Sequence, residues 1–155
     1  MTSDTSTNSS FVQRLFQGLL KLLGWKKSEE VHDAELAEPD NPDEPTFITL
    51  EMETLRVMKS VGVRHQQVPL SSVILRFSLT GNEVDGFEAC LDFQNRDQED
   101  PDLDLGQDVK GLRLVTRREN EQAFSGTIVR YMNSNGTYGF YFDGPFFHQQ
   151  YAKRR

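Results

Sequence analysis

The segment GTIVRYMNSNGTYGFYFDG, residues 126–144, constrains the fold of this chain more than any other stretch. Apolar and polar residues alternate on both sides of Asn135-Gly136, and an Asn-Gly pair supplies the positive φ angles that a tight hairpin turn needs. Because strand side chains alternate between two faces, we expect the apolar residues to divide between a core face and an outer face. These residues are Val129, Tyr131, Tyr138, Phe140 and Phe142. The segment therefore predicts the closing hairpin of an all-β domain.

Three further stretches with strand patterns precede this hairpin. Residues 68–80 are rich in β-branched side chains, residues 83–93 alternate apolar with polar positions, and residues 109–117 follow an acidic loop at 94–108. The apolar faces are Val73, Leu75, Phe77 and Leu79 in the first stretch, and Val84, Phe87, Ala89 and Leu91 in the second. Short strands separated by Gly, Asn and Asp turns indicate a small antiparallel barrel or sandwich. After the hairpin, Phe146, Phe147 and Tyr151 are predicted to plug one mouth of the barrel, with a helix starting near Phe146.

The N-terminal part of the chain has a different composition. Residues 1–10 are a Ser/Thr-rich tail that we expect to be disordered, and residues 11–27 predict an amphipathic helix. The polar face of that helix has only basic charges, Arg14 and Lys21 among them. Its broad apolar face, which we interpret as a docking surface, consists of Phe11, Leu15, Phe16, Leu19, Leu22, Leu23 and Trp25.

Acidic residues dominate the segment after this helix. Residues 28–53 include ten acidic residues, three prolines and no Lys or Arg, and residues 28–45 are predicted to be an extended solvated linker. The linker either acts as a spacer or shields the basic helix until a partner displaces it. The helix cannot bury its apolar face alone, so three covers stay open: the β-domain, a protein partner or second copy, and an anionic membrane surface.

Composition excludes several classes of function. The formal net charge of −7 opposes a strong sequence-independent grip on nucleic acid phosphates. Cys90 is the single cysteine, and we interpret it as a small buried strand residue. None of the three histidines has a second potential ligand at the spacing of a metal site. No catalytic motif, secretion signal or bilayer-spanning run is recognised. We therefore expect a non-enzymatic cytoplasmic protein without a resident metal, with peripheral inner-membrane contact as a further option.

Residues 62–150 resemble the PilZ domain, a bacterial receptor for cyclic di-GMP. The resemblance follows the order of four pieces: RHQQVPLSSVILRF, VDGFEACLDF, LDLGQDVKGLRLV and FSGTIVRYMNSNGTYGFYFDG. It implies a mainly β fold, a small antiparallel six-stranded PilZ-like β-barrel over residues 46–155, with the amphipathic helix N-terminal to it.

The ligand motifs of that family are degenerate in this chain. The R-x-x-x-R pair aligns with Val63 and Gln67, and D-x-S-x-x-G aligns with DFQNRD, which keeps Asp92 but has Gln94 and Asp97 in place of serine and glycine. Nearby cations, presented by a slipped loop before the first strand, could replace the arginine pair. The candidate ligand-binding residues are therefore Arg56, Lys59, Arg64 and Asp92.

Some PilZ domains lack nucleotide binding and act as adaptors, which the resemblance makes the expected function here. The prediction is a bacterial regulatory or adaptor protein that acts through protein contacts in motility, pilus, secretion or surface-polysaccharide control. A protein partner is expected at the N-terminal helix. The alternative within the family is an effector that binds cyclic di-GMP through a non-standard site.

The hairpin segment also looks like the first strands of a cold-shock domain, with the pattern G-T-V-x-x-[FW]-N followed by G-[FY]-G-F. In that family aromatic side chains stack on single-stranded bases, which would assign this role to Tyr131, Tyr138 and Phe140. A cold-shock domain needs further strands beyond this point, where only residues 142–155 remain, and the acidic charge is a second objection. The sequence thus argues against nucleic acid as the partner.

Overall fold

The computed structural model describes residues 34–153. The predicted tail at 1–10, the predicted helix at 11–27 and the first part of the linker, 28–33, lie outside the described residues. All seven residues of the predicted docking surface are therefore outside them as well.

The described residues form seven strands and three α-helices. The strands are β1 (Thr49–Leu50), β2 (Val73–Asn82), β3 (Gly86–Asn95), β4 (Asp104–Val109), β5 (Leu112–Arg117), β6 (Ile128–Ser134) and β7 (Thr137–Asp143). The helices are α1 (Met52–Gln66), α2 (Glu121–Phe124) and α3 (Pro145–Lys153). The prediction of a mainly β fold is confirmed, and so is the helix near Phe146.

The strands form two sheets rather than one closed barrel. One sheet has the order β1-β6-β7 and the other β3-β2-β5-β4. The prediction of a purely antiparallel barrel is wrong for residues 34–153, because β1 runs parallel to β6 and β2 runs parallel to β5. The hairpins β2–β3 and β4–β5 lie side by side, so β2 is next to β5. Strands that follow each other through a short turn must be antiparallel, because a parallel pair needs a longer crossover connection. β3 and β7 are end strands of their sheets.

The predicted hairpin at residues 126–144 is confirmed. Asn135 and Gly136 adopt φ angles of 54° and 84° at its turn, and Tyr131 lies opposite Phe140. The expected division of its apolar residues between two faces is wrong. Val129 and Phe142 also lie opposite each other, so Val129, Tyr131, Tyr138, Phe140 and Phe142 all share one face.

An aromatic core joins the two sheets and the C-terminal helix. Phe77 of β2 contacts Phe47, Phe124 and Phe142 in edge-to-face geometry, with ring centroids 5.8–6.1 Å apart. From α3, Phe147 is fully buried against Phe142 at 5.2 Å. Residues 34–153 form no barrel mouth for the C-terminal aromatics to plug; Phe147 lies instead in the core, while Phe146 and Tyr151 are partly buried against it.

Two strand predictions need correction. The stretch at 83–93 begins too early, because Val84 lies in the β2–β3 turn with 87% of its surface exposed. The predicted acidic loop at 94–108 includes strand β4, whose Leu105 is buried. The face predicted for residues 68–80 is confirmed, since Val73, Leu75 and Phe77 are buried and Leu79 packs against the core. Cys90 is also buried.

Residues 34–45 are mostly exposed, as predicted for a solvated linker, but hydrogen bonds and one buried residue attach them to the sheets. Ala37 is buried and its N–H donates to the carbonyl of Leu50 at 2.8 Å. The carboxylate of Asp40 accepts the N–H of Lys110 at 2.7 Å in the β4–β5 turn, where Lys110 has a positive φ angle of 50°. The folded unit therefore includes residues before the predicted boundary at 46.

Candidate functional site

Helix α1 positions the candidate site. The sequence did not predict this helix, because Val57, Val61 and Val63 are β-branched and Gly62 weakens a helix interior. Packing compensates: Leu55 and Met58 are buried in the core, and the Thr54 hydroxyl donates to the carbonyl of Val129 at 2.8 Å. The helix is thereby fixed across strand β6.

A small apolar crevice lies between α1 and the end strands of both sheets. Its lining residues come from α1, β2, β3 and β7: Met58, Val61, Leu75, Leu91, Phe93 and Phe140. Since β3 and β7 do not pair with each other in the described structure, the crevice lies at the gap where a barrel would close. Helix α1 covers this gap with side chains, not with backbone hydrogen bonds to either strand edge.

The absence of a side chain at Gly62 lets Phe93 approach the helix. A Cβ atom at this position would lie 2.8 Å from Cε1 and 3.1 Å from Cδ1 of Phe93. The glycine therefore shapes the wall of the crevice, at a cost in helix propensity of about 1 kcal/mol relative to alanine.

An aromatic stack extends from the crevice to the tip of the hairpin. Tyr131 stacks on Tyr138 with centroids 5.5 Å apart and planes inclined by 16°, and contacts Phe140 at 5.4 Å. Asn133 Nδ2 donates to the Tyr138 hydroxyl at 3.1 Å. Burial, with smaller effects of Tyr138 and Glu53, raises the pKa of Tyr131 above its ordinary value. We call the crevice together with Tyr131 and Tyr138 the α1–hairpin surface.

Exposed apolar side chains lie close in sequence to this surface. Tyr138 is 46% exposed and stands two residues before Phe140 on the same strand face. Val63 of α1 is 45% exposed, but two residues after Val61 it lies on the opposite side of the helix, between Arg56 and Lys59. Leu36, also exposed, pairs with Glu51 beside the first turn of α1. The cold-shock resemblance would assign base stacking to Tyr131, Tyr138 and Phe140, but their rings pack on one another and Phe140 is buried.

The three predicted cationic ligands all lie on α1, not in a loop before the first strand. Arg56 and Arg64 are exposed, and Lys59 is half-buried. Arg56 forms an ion pair with Glu53, one turn away on the same helix. At 100° per residue the three positions fall within one side of the helix, so their charges point to solvent and not toward a common pocket.

Asp92 lies on the other side of the β3 sheet. Its neighbours Leu91 and Phe93 line the crevice, and adjacent strand residues face opposite sides. Asp92 lies opposite Arg76 in the ladder and accepts Nε2 of Gln94 at 3.1 Å. Burial raises the pKa of its carboxyl group, although Gln94 and Arg76 act in the other direction. The structure therefore does not bring Asp92 together with the three cations of α1.

Arg76 anchors a charge network on this outer face that sequence analysis missed. It donates to both carboxylate oxygens of Asp104, each at 2.9 Å, and to Oε1 of Gln94 at 2.9 Å. Burial alone would raise the pKa of Asp104, but the bonds from Arg76 and from the Asp100 N–H lower it below its ordinary value. The sequence signal is the single charge within the apolar run VILRF.

Two more strand arginines are neutralised in the same way. Arg113 donates to Glu99 at 2.8 and 3.0 Å and also contacts Glu44 and Asp108, which raises its pKa, with the Glu99 bond as the largest cause. Arg130 pairs with Glu51 and with Asp143, whose other oxygen lies 2.8 Å from His148 Nε2. These guanidinium groups are held by carboxylates of the same chain, so they offer little positive charge to a ligand.

Residues 34–153 contain no group of three His, Cys, Asp or Glu side chains arranged to hold a metal ion. Among the helices of this part of the chain, none is both long and apolar enough to cross a bilayer. No protein-family model matches the chain, and no curated protein is significantly similar to it.

Proposed function

We propose that the chain is a non-enzymatic bacterial regulatory or adaptor protein that acts through protein–protein contacts. The observation that carries this proposal is the α1–hairpin surface, where the aromatic stack beside a small apolar crevice ends in half-exposed Tyr138. Aromatic anchors beside an apolar depression are the usual centre of a protein-binding surface. The resemblance to PilZ domains that work as adaptors is consistent with this function.

Charge favours a protein over a nucleotide at this surface. Residues 34–153 include 20 acidic and 11 basic residues, and six of the described arginines form ion pairs with carboxylates of the same chain. A ligand with two phosphates needs convergent guanidinium groups, as bidentate recognition requires. Arg56, Lys59 and Arg64 diverge into solvent from α1, and Asp92 lies across the sheet from them.

The second element of the proposed function is the amphipathic segment 11–27. Its apolar face has the i, i+3, i+4 spacing with which helices dock into grooves of partner proteins. Four basic residues, Arg14, Lys21, Lys26 and Lys27, suit an acidic partner surface. This segment is proposed as the element that the partner recognises.

Site-specific photo-crosslinking of the full chain in its host tests the proposal. A photoreactive phenylalanine at Leu19, on the apolar face, is expected to form an adduct with one defined protein, whereas the same group at Gln17, on the polar face, is not. Calorimetric titration with cyclic di-GMP and with a single-stranded oligonucleotide is expected to release no heat. Tight cyclic di-GMP binding that alanine at Arg56, Lys59 and Arg64 abolishes would overturn the proposal in favour of a nucleotide sensor. Adducts of Leu19 with lipid alone would replace the protein partner by a membrane.

A further inference from the structure

We infer that residues 35–46 form a clasp between the two sheets, which opens as one unit while the rest of the domain stays folded. Opening releases the chain that follows residues 11–27 and thereby sets how far that segment reaches from the domain. The clasp itself is inferred from contacts of the described residues. Only its consequence for residues 11–27 rests on the proposed function.

The clasp contacts the end strand of each sheet. β1 and β4 end the two sheets on the side away from β7 and β3, where the crevice lies. The N–H of Ala37 donates to the carbonyl of Leu50 in β1 at 2.8 Å, and the N–H of Asp40 donates to the carbonyl of Asp108 in β4, also at 2.8 Å. Three residues of the clasp thus separate a bond to one sheet from a bond to the other.

Two carboxylates hold the clasp on the larger sheet. Asp40 accepts the N–H groups of both β4–β5 turn residues, Lys110 at 2.7 Å and Gly111 at 3.2 Å. One oxygen of Glu44 accepts a backbone N–H of β4 at 3.3 Å, and the other lies 3.3 Å from Nη1 of Arg113. These are single side-chain contacts at the rim of the sheet, not a strand ladder, so few bonds must break for the clasp to leave.

Little apolar burial supports the clasp. Within residues 35–46 only Ala37 is buried, and three prolines lack the N–H that a strand ladder requires. The chain directly after the clasp is fixed in the core: Phe47 and Ile48 are each 2% exposed, and Gln107 accepts the N–H of Phe47 at 2.7 Å and donates to the carbonyl of Ile48 at 2.8 Å. Segments with few buried apolar contacts open locally while the core stays closed. The opening unit is therefore expected to end at Phe47.

Opening changes the length of chain between residues 11–27 and the nearest fixed point. The first clasp contact is the carbonyl of Glu35, which accepts the N–H of Met52 at 2.9 Å. From Lys27, an extended chain reaches up to about 26 Å to Glu35 and up to about 66 Å to Phe47. A partner bound to residues 11–27 is thereby held near the domain by the closed clasp and released to more than twice that distance by the open one.

Native-state amide hydrogen exchange of the full-length protein, followed residue by residue by NMR, tests the clasp. The amides of Ala37, Asp40 and Lys110 are expected to share one opening free energy, lower than that of Leu114 in the β4–β5 ladder. Asp40→Ala removes two bonds to a carboxylate and should speed exchange at Ala37, on the other sheet, by about tenfold or more, with Leu114 unchanged. Asp43→Ala is the matched control, because the Asp43 carboxylate has no hydrogen bond or ion pair to the described residues.

Two exchange results would overturn the inference. Equal protection of Ala37 and Leu114 in the natural chain would mean that residues 35–46 open only with the whole domain. Exchange at Ala37 that Asp40→Ala leaves unchanged, or that Asp43→Ala speeds equally, would mean that the contacts with the two sheets break independently. Circular dichroism of each variant confirms that the domain is folded, and the comparison within the natural chain needs no variant.

Small-angle X-ray scattering of the full-length monomer tests the consequence for reach. The double variant Asp40→Ala, Glu44→Ala is expected to have a larger maximum dimension than the natural chain, whereas Asp43→Ala is not. An unchanged dimension despite fast exchange at Ala37 would refute the control of reach. The crosslinking experiment at Leu19 is independent of both measurements: an opening clasp without a protein adduct contradicts only the adaptor function, and an adduct with a clasp that never opens alone contradicts only this inference.

Discussion

Tyr131 and Tyr138 stack on each other across the β6–β7 hairpin, with their centroids 5.5 Å apart and their planes inclined by only 16°. Each ring thereby uses one face for the other, and Tyr131 further contacts buried Phe140. The aromatic face of the hairpin is thus continuous from the core to the exposed tip. It is built as packing that ends in one accessible ring, not as a row of free rings for stacking bases.

This continuity predicts a gradient of stability along the hairpin. Phe140→Ala is expected to lower the free energy of unfolding by about 3–5 kcal/mol, as for other buried phenylalanines. Tyr138→Ala should cost much less, because the side chain is half exposed and a stacked aromatic pair contributes about 0.5–1.5 kcal/mol beyond its buried area. Urea unfolding monitored by circular dichroism measures both. Equal losses for the two variants would mean that the ring of Tyr138 is as important to the core as Phe140.

Gly62 offers a second test of how the crevice is built. Gly62→Ala gains about 1 kcal/mol of helix propensity, yet we expect net destabilisation, because the new Cβ would meet Phe93 at 2.8 Å. A smaller side chain at position 93 should remove the conflict. Gly62→Ala combined with Phe93→Leu is therefore expected to be more stable than the sum of the single changes predicts. Thermal unfolding of the four proteins completes the cycle. Additive effects would show that Phe93 is free to move away.

Local patterns predicted those elements whose stability is local. Asn135-Gly136 specified the hairpin turn, and alternation in VILRFSL identified the buried face of β2, since both depend on neighbours in sequence. Helix α1 was missed because its valines and Gly62 disfavour a helix, and contacts such as Thr54 with Val129 stabilise it from a distance of 75 residues. The parallel pairs β1–β6 and β2–β5 depend likewise on long-range packing, so no local pattern indicates them.

The candidate site shows the same division. The aromatic residues of the hairpin could be selected from sequence, but not their arrangement as a mutual stack. Arg56, Lys59 and Arg64 were assigned to a loop before the first strand, and their position on α1 changes what they can contact. Arg76 was overlooked because a lone charge in a strand does not indicate its partner, and Asp104 lies 28 residues away in a stretch predicted to be a loop.

Asp92 is predicted to be a residue whose ionisation weakens the fold. Its pKa is raised in the folded protein, chiefly by burial, so the folded state binds a proton more readily than the unfolded state. Its contribution to stability is therefore favourable at acid pH and is lost as pH rises through the folded pKa. We expect Asp92→Asn to be more stable than the natural chain at neutral pH, with the difference vanishing at acid pH. Urea unfolding at both pH values checks this, and a less stable variant at neutral pH would show that the pairing with Arg76 outweighs burial.

Asp104 is expected to show the opposite pH dependence. Its pKa is lowered in the folded state, so its contribution is present above the ordinary aspartate pKa of about 3.9 and is lost as pH falls through the folded value. Asp104→Asn leaves the Arg76 side chain, 12% exposed, without its carboxylate, and breaking such a buried pair costs about 3–5 kcal/mol at neutral pH. The difference from the natural chain should shrink in acid, where the natural carboxylate is itself protonated.

The double variant Arg76→Leu, Asp104→Leu separates pairing from burial. Removing both charges leaves neither partner of the ion pair uncompensated, although Asp92 loses the cation opposite it. This protein is therefore expected to be more stable than Asp104→Asn at neutral pH, and its stability should lack the acid dependence that Asp104 contributes. Urea unfolding across the acid range compares the natural chain, Asp104→Asn and the double variant. Arg117→Leu is the control, because Arg117 Nε also lies near Asp104, 3.6 Å from Oδ1, but its side chain is more exposed than that of Arg76. A double variant that is no more stable than Asp104→Asn would show that the network stabilises the sheet through contacts other than the ion pair. A gap between Asp104→Asn and the natural chain that stays constant with pH would show that the carboxylate charge contributes nothing to it.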